Sequence, residues 1–196
     1  MGAAEKLRMT YAEYLVAEEA SETKHEYLRG EVFAMAGTTF EHALIASNLL
    51  RAIGNRLAGP CVVVGSDARV RIEATDRATY PDLMIVCGPR HAASEDRHGT
   101  VNPTVIVEVL SDSTERDDRG EKFAHYRQIS SLREYVLVAQ KEARVEVFTR
   151  EAGDSAVWRF SEAVGEGIVR FASVDVVVPL EEVYRGVAFA AAPADG

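Results

Sequence analysis

The chain has no apolar run long enough to cross a bilayer, and its opening segment, MGAAEKLRMT, lacks the apolar core of a signal peptide. A cytoplasmic protein is expected. Zinc patterns are missing as well: there is no CxxC, and the five histidines, at 25, 42, 91, 98 and 125, include no HExxH. The two cysteines, Cys61 and Cys87, each bound an apolar strand-like run, so reduced core thiols are expected rather than a disulfide. Positive charge is scarce. With 22 Lys and Arg against 31 Asp and Glu the net charge is −9, which argues against a protein that coats nucleic acid by neutralising phosphates. It leaves room for an enzyme with an acidic metal site and a local basic rim. Internal repeats and low-complexity blocks are absent too.

What is present is ordinary globular material, 47% hydrophobic and 27% charged. A length of 196 residues suits one compact domain with decoration: a helical extension over 1–24, the main domain over 25–186 and a frayed tail over 187–196. Residues 10–20 predict an amphipathic helix with Thr10 as N-cap and Tyr11, Tyr14 and Leu15 on its apolar side. Arg29-Gly30 predicts a hairpin turn between strands at 25–28 and 31–36, with Glu31 opening the second. Thr38-Thr39-Phe40-Glu41 has the form of a capping box for a helix that Gly59-Pro60 stops, with His42 in its first turn as a packing or exposed residue. Strands are expected at 61–65 and 68–73, the second with Arg69 and Arg71 on an exposed polar face, and a surface loop is expected over 88–101. Later strands are read at 134–139, 144–149, 157–160, 168–171 and 174–178, with a helical turn at 180–184.

The stretch Asn102–Tyr126, NPTVIVEVLSDSTERDDRGEKFAHY, organises the rest. Its first part, 104–110, reads as a buried strand interrupted by one acid, Glu108, whose unpaired burial would cost several kcal/mol. Ser111 to Thr114 are turn formers and N-caps, and a charged helix is expected from about 115 to 129. On it Asp118, Lys122 and Tyr126 stand at i, i+4 and i+8 and project from one face. A second strand-like run, Tyr80–Val86, carries Asp82 on the face shared by Tyr80, Met84 and Val86. If the two strands pair, the carboxylates of Asp82 and Glu108 come within roughly 5 Å of each other.

The runs YLRGEVFAMAG, Ser66-Asp67-Ala68-Arg69-Val70, Tyr80-Pro81-Asp82, NPTVIVEVLSDST, DRGEKFAHYR and LREYVLV together resemble the Uma-type restriction endonuclease family within the PD-(D/E)XK nuclease superfamily. The resemblance implies a restriction endonuclease-like α+β fold, a mixed central β-sheet flanked by helices. It also implies a divalent ion, Mg²⁺ or Mn²⁺, held by Asp82 and Glu108. The superfamily pattern places a lysine two residues after the glutamate. Leu110 stands there, and the family's lysine falls on the following helix, at Lys122.

Mg²⁺ takes one or two carboxylates and keeps several waters, so Asp82, Glu108 and the Val109 carbonyl are the expected protein ligands. Lys122 would assist the attacking water, with Glu31, His42, Asp118 and Tyr126 as accessory residues. Each has a plainer role available: a buried ion pair for Glu108, a turn carboxylate for Asp82, a surface bridge between Lys122 and Asp118, and core packing for Tyr126. The leading expectation is an endonuclease hydrolysing DNA phosphodiester bonds, working as a homodimer. The alternative is a non-catalytic protein-binding module on a nuclease-like fold.

Overall fold

The computed structural model describes residues 8–35 and 37–189; the expectations for the opening segment, for Ala36 and for the end of the tail fall outside them. Thr10 caps α1 (Tyr11–Ala20) as predicted, its hydroxyl accepting from the Glu13 N–H while Glu13 takes the Thr10 N–H in return. The buried rings of Tyr11 and Tyr14 pack on Tyr27 of β1 (His25–Leu28). Arg29 and Gly30, both at positive φ, then turn the chain into β2 (Glu31–Ala34), the geometry that matches strand twist in a two-residue hairpin.

α2 (Phe40–Gly54) starts one residue later than its box suggests. Thr39 is the cap, accepting from the His42 N–H at 3.2 Å. The helix ends at Gly54, short of Gly59-Pro60, and buries Ile45, Leu49, Ala52 and Ile53. Next come β3 (Cys61–Gly65), β4 (Val70–Ile72), β5 (Arg77–Thr79), β6 (Leu83–Cys87), β7 (Ala92–Ala93), β8 (Asp96–Thr100) and β9 (Val105–Val109). The helix after β9 is broken into three: α3 (Glu115–Asp117), a π-helical turn over Asp118–Lys122, and α4 (Phe123–Tyr126). It stops earlier than the expected end near 129. β10 (Glu134–Val138), β11 (Arg144–Arg150), β12 (Trp158–Val164), β13 (Ile168–Phe171), β14 (Val176–Pro179) and α5 (Leu180–Val183) complete the described chain.

The central sheet runs β12-β11-β10-β9-β6-β3 and is mixed, β9 and β10 being parallel and the other pairs antiparallel. Alternation along β9 divides its side chains between two cores. Val105, Val107 and Val109 join α2, α5 and the β13-β14 ribbon, whereas Ile106 and Leu110 join Met84, Val86, Tyr126 and Tyr135. A second sheet, β2-β1-β5-β4-β8-β7, carries the N-terminal hairpin.

Several expectations are corrected here. Cys61 and Cys87 are disulfide-bonded rather than free thiols, because the β3/β6 register sets them directly opposite each other. The strand expected over 68–73 is shorter, Val70–Ile72, and lies in the second sheet. Nor are Arg69 and Arg71 on an exposed face. Both are buried: Arg69 grips Asp96 through Nε and Nη2 at 2.8 and 2.9 Å and reaches the Tyr80 hydroxyl, and Arg71 lies 3.7 Å from the centre of the Tyr11 ring. Asp96 in turn sits in β8, so 92–93 and 96–100 of the expected surface loop are strands of the second sheet. Of the charged residues in that segment only Asp96 is buried, and it is ion-paired to Arg69.

Candidate active site

Asp82 immediately precedes β6, and Glu108 is the fourth residue of β9. The antiparallel register Leu83↔Val107, Met84↔Ile106 continues one step further: the Val109 N–H donates to Asp82 Oδ2 at 2.7 Å, and the Asp82 N–H to Glu108 Oε2 at 3.4 Å. The two acids therefore stand opposite each other, at the strand positions that alternate with Leu83 and Val107, on the Met84 and Ile106 side.

Glu108 is buried within a cage of its own. Its Oε1 accepts from the Tyr126 hydroxyl at 2.8 Å and lies 2.9 Å from Lys122 Nζ. Lys122 Nζ is also 3.2 Å from Asp118 Oδ1 and 3.5 Å from Glu26 Oε1, so one ammonium serves three carboxylates. The electrostatics follow from that ratio. Burial, then the charges of Asp118 and Asp82, push Glu108 up to about 8 against the pull of Lys122. Burial also raises Asp118, and its Oδ1 has no hydrogen-bond partner in spite of the nearby ammonium. Burial disfavours the charge on Lys122, but Glu108 foremost among its neighbours holds it protonated. The cluster is short of positive charge: two carboxylates about 4 Å apart repel by roughly 4 kcal/mol at an effective dielectric of 20.

The π turn makes this convergence possible. It places Lys122 and Tyr126 under β9 while Tyr135 of β10 donates its hydroxyl to the Asp118 carbonyl at 2.9 Å, and Phe123 stacks on Tyr135 with ring centres 4.8 Å apart. Such single π turns within helices recur at functional sites. Of Asp118, Lys122 and Tyr126, expected on one face, Lys122 and Tyr126 meet at Glu108 and Asp118 joins them through Lys122.

His42 reaches the site from the first turn of α2. Its Nε2 is 3.3 Å from Asp82 Oδ2. Burial lowers its pKa, but the hydrogen bond and charge of Asp82, together with the Val109 main chain, leave it raised. Glu31 opens β2 opposite Leu28, on the same face of the hairpin as Glu26. Glu26 was not foreseen, and it is the hairpin carboxylate that meets Lys122. Arg77 Nη2 at 3.1 Å and the Thr79 hydroxyl hold it, and Lys122 and Arg77 outweigh its burial to keep it below the usual glutamate range. Its only sequence signal is alternation against Tyr27, which says nothing of a partner nearly a hundred residues away along the chain.

Among the described residues no three His, Cys, Asp or Glu side chains form a ready-made metal cage. Mg²⁺ does not need one, since it uses one or two carboxylates and retains waters. Asp82 and Glu108, the Val109 carbonyl, and a neighbourhood whose acids are raised for want of positive charge make a donor set suited to a divalent cation.

Residues 11–175 match the model of the Uma2 family, described as "Putative restriction endonuclease". Two proteins of Synechocystis, uncharacterized protein slr1290 and uncharacterized protein sll1609, are 32% and 35% identical to the chain. The first match spans 93% of this chain and 94% of that protein, the second 81% and 89%. A crystal structure of a "putative nuclease belonging to DUF820" from Anabaena variabilis superposes with a TM-score of 0.71 over 90% of this chain and 97% of that one, at 16% identity; that likeness shows the fold. The mixed sheet with Asp82 and Glu108 facing each other across β6 and β9 is thus the frame of a restriction endonuclease-like protein, and the chain belongs to the Uma2 family.

Proposed function

We propose that the protein is a metal-dependent endonuclease that hydrolyses phosphodiester bonds, with DNA as substrate and Mg²⁺ or Mn²⁺ as cofactor. The observation that carries this reading is the pairing of Asp82 with Glu108 next to a buried lysine that the surrounding acids keep protonated. Asp82, Glu108 and the Val109 carbonyl would hold the ion. When bound, it supplies Lewis-acid polarisation of a phosphate oxygen and a lowered pKa for bound water. The protein's own residues do the rest. Tyr126 and Lys122 orient the Glu108 carboxylate from one side, leaving Oε2, whose one long contact is the Asp82 N–H, as its open oxygen. Lys122 orients the attacking water or stabilises the charge that builds on phosphorus. Asp118 and Glu26 hold the Lys122 ammonium in reach. Cutting both strands calls for two sites, so the working unit is a homodimer, to be checked by sedimentation equilibrium.

The test is conversion of supercoiled plasmid with Mg²⁺ or Mn²⁺ against a chelator control, in wild type and Glu108→Gln. The glutamine keeps the volume and a partner for the Tyr126 hydroxyl but loses the charge. Metal-dependent nicking that falls by about 10²-fold or more in the variant is expected, the scale for loss of an electrostatic group. A wild-type protein inert with both ions on duplex and single-stranded DNA, or a fully active variant, refutes the reading.

A further inference from the structure

We propose that a second copy of the chain docks edge to edge on β12, the two strands running antiparallel about a two-fold axis at Phe160, so that the central sheets of two subunits become one. This gives the homodimer of the nuclease reading an interface, and it is tested apart from the chemistry because each site is built within one chain. Among the described residues β12 ends the central sheet on its side. Its register with β11 runs unbroken from Arg150↔Trp158 to Arg144↔Val164. Natural sheet edges are blunted by proline, lysine or bulges, and WRFSEAV has none of these. The ladder also fixes which main-chain groups are unused. The Glu151 N–H donates to the Val157 carbonyl at 3.0 Å and the Gly165 N–H to the Ala143 carbonyl at 2.8 Å, so the odd-numbered residues of β12 bond to β11. Alternation then turns the N–H and C=O of Trp158, Phe160 and Glu162 to the open edge.

The side chains decide what fits that edge. Of the ten large hydrophobic side chains exposed among the described residues, four lie on β12 or beside it, Val157, Phe160, Val164 and Ile168, against one, Val62, on the opposite edge strand β3. Phe160, in the middle of the strand, is 50% exposed. Charge then selects the register and the partner. Glu162 stands directly opposite Glu146 of β11, a like-charge pair that disfavours its own sheet, with Arg144 Nη1 3.6 Å away. Arg150, opposite Trp158 on the same face, is buried with its guanidinium 4.7 Å from the Trp158 ring centre. It donates to the main-chain carbonyls of Arg127 and Ile129 and leaves Nε unpartnered. Setting Phe160 against Phe160 of the second copy brings Glu162 of each chain opposite Trp158 of the other, into one row with Arg150. A register centred on Glu162 sets two acids face to face, and one centred on Ser161 sets Glu162 against Phe160. A single strand thus carries both the acid and the row that wants it, which makes the occupant a second copy rather than a foreign peptide.

Seven strand spacings separate β9 of one copy from β9 of the other, about 34 Å, so neither site leans on the interface. The experiment is sedimentation equilibrium on the full chain for wild type, Phe160→Lys and Glu162→Lys, with thermal unfolding of each. Wild type is expected to be a dimer. Phe160→Lys should raise the dimer dissociation constant by about 30-fold or more, the scale of a buried aromatic anchor. Glu162→Lys should raise it by about 10-fold by bringing a cation to the Arg150 row, without lowering the thermal midpoint, because the new side chain faces Glu146 within its own sheet. A short bis-maleimide checks the register: it should join two chains of Phe160→Cys and not of Val164→Cys, whose positions lie about 27 Å apart across the axis. A wild type that stays monomeric at high concentration overturns the interface without need of a variant. So does a dimer that both lysine variants leave as tight, or one in which Val164→Cys chains cross-link. The nuclease reading is decided separately: dissociated chains that still nick plasmid keep it, and a dimeric wild type that cuts nothing refutes it while the interface stands.

Discussion

Replacing Lys122 with methionine removes one charge and little volume, and the structure sets what that should cost. The ammonium lies within 2.9 to 3.5 Å of Glu108, Asp118 and Glu26, and its side chain is only 9% exposed. Water therefore cannot take its place. Breaking a buried ion pair by deleting one partner costs about 3 to 5 kcal/mol, because the other charge is left uncompensated. For a domain of this size that is a fall in Tm of about 6 to 20 °C. The loss should depend on pH. Glu108, at about 8 in the fold, lies above its unfolded value, so its proton stabilises the fold fully below the unfolded pKa. That contribution fades as pH rises through 8. Near pH 5 Glu108 is protonated in both proteins; the variant, without the pull of Lys122, keeps that proton to higher pH and goes on losing stability above 8, where the wild type levels off. Urea denaturation of wild type and Lys122→Met near pH 5 and near pH 8.5 should show the larger difference at the higher one. Divalent-ion affinity should stay nearly intact while plasmid nicking drops by about 10²-fold or more. Equal stability at both pH values, or a penalty that grows on acidification, would show that Lys122 is not the counter-ion of this cluster. An active variant would remove it from the chemistry.

Arg69→Met should cost about 3 to 5 kcal/mol by stranding buried Asp96, seen as a lower urea midpoint. In wild type the Arg69 and Tyr11 hydrogen bonds overcome burial and hold Asp96 at about 2. Stability it contributes is present above the unfolded value near 4 and is lost as pH falls through 2, a span an acid titration of Arg69→Met should no longer show. Reducing the Cys61–Cys87 bridge, which closes a sequence separation of 26, should lower stability by about 3 to 4 kcal/mol. Thermal unfolding with and without a reductant reads this directly, and an unchanged Tm would mean that the bridge constrains nothing.

The strand carrying Glu108 was legible because a lone acid in a β-branched run is conspicuous, and alternation then placed Asp82 on the matching face. Register was not legible. Cys61 and Cys87 look like two core thiols until β3 and β6 are aligned residue by residue, and periodicity fixes faces but not offsets. Arg69, Asp96 and Glu26 were misread or missed for another reason. A buried ion pair and an exposed polar face have the same letters, and only the tertiary partner, 27 residues along for Arg69 and Asp96, tells them apart. The N-caps of α1 and α2 and the Arg29-Gly30 hairpin could be read to within a residue because each is decided by its nearest neighbours.

The π turn at Asp118–Lys122 has a consequence for how this helix tolerates changes in length. Each α-helical residue turns the chain by about 100°, so deleting a single residue there, such as Gly120, whose Cβ position borders nothing within 4 Å, would let the segment relax to an ordinary α-helix. Everything beyond the deletion would then be drawn back by one residue's rise, about 1.5 Å, and rotated by the part of 100° that the looser winding of the π turn does not absorb. Asp118 would keep its place while Lys122 and Tyr126 were pulled back along the helix from Glu108, their identities unchanged. Point substitutions at Gly120 should be forgiven on packing grounds, and a one-residue gap should not. In this segment the spacing of the letters carries as much information as the letters themselves, and an aligned homologue that has the lysine but one residue fewer before it would have a different site.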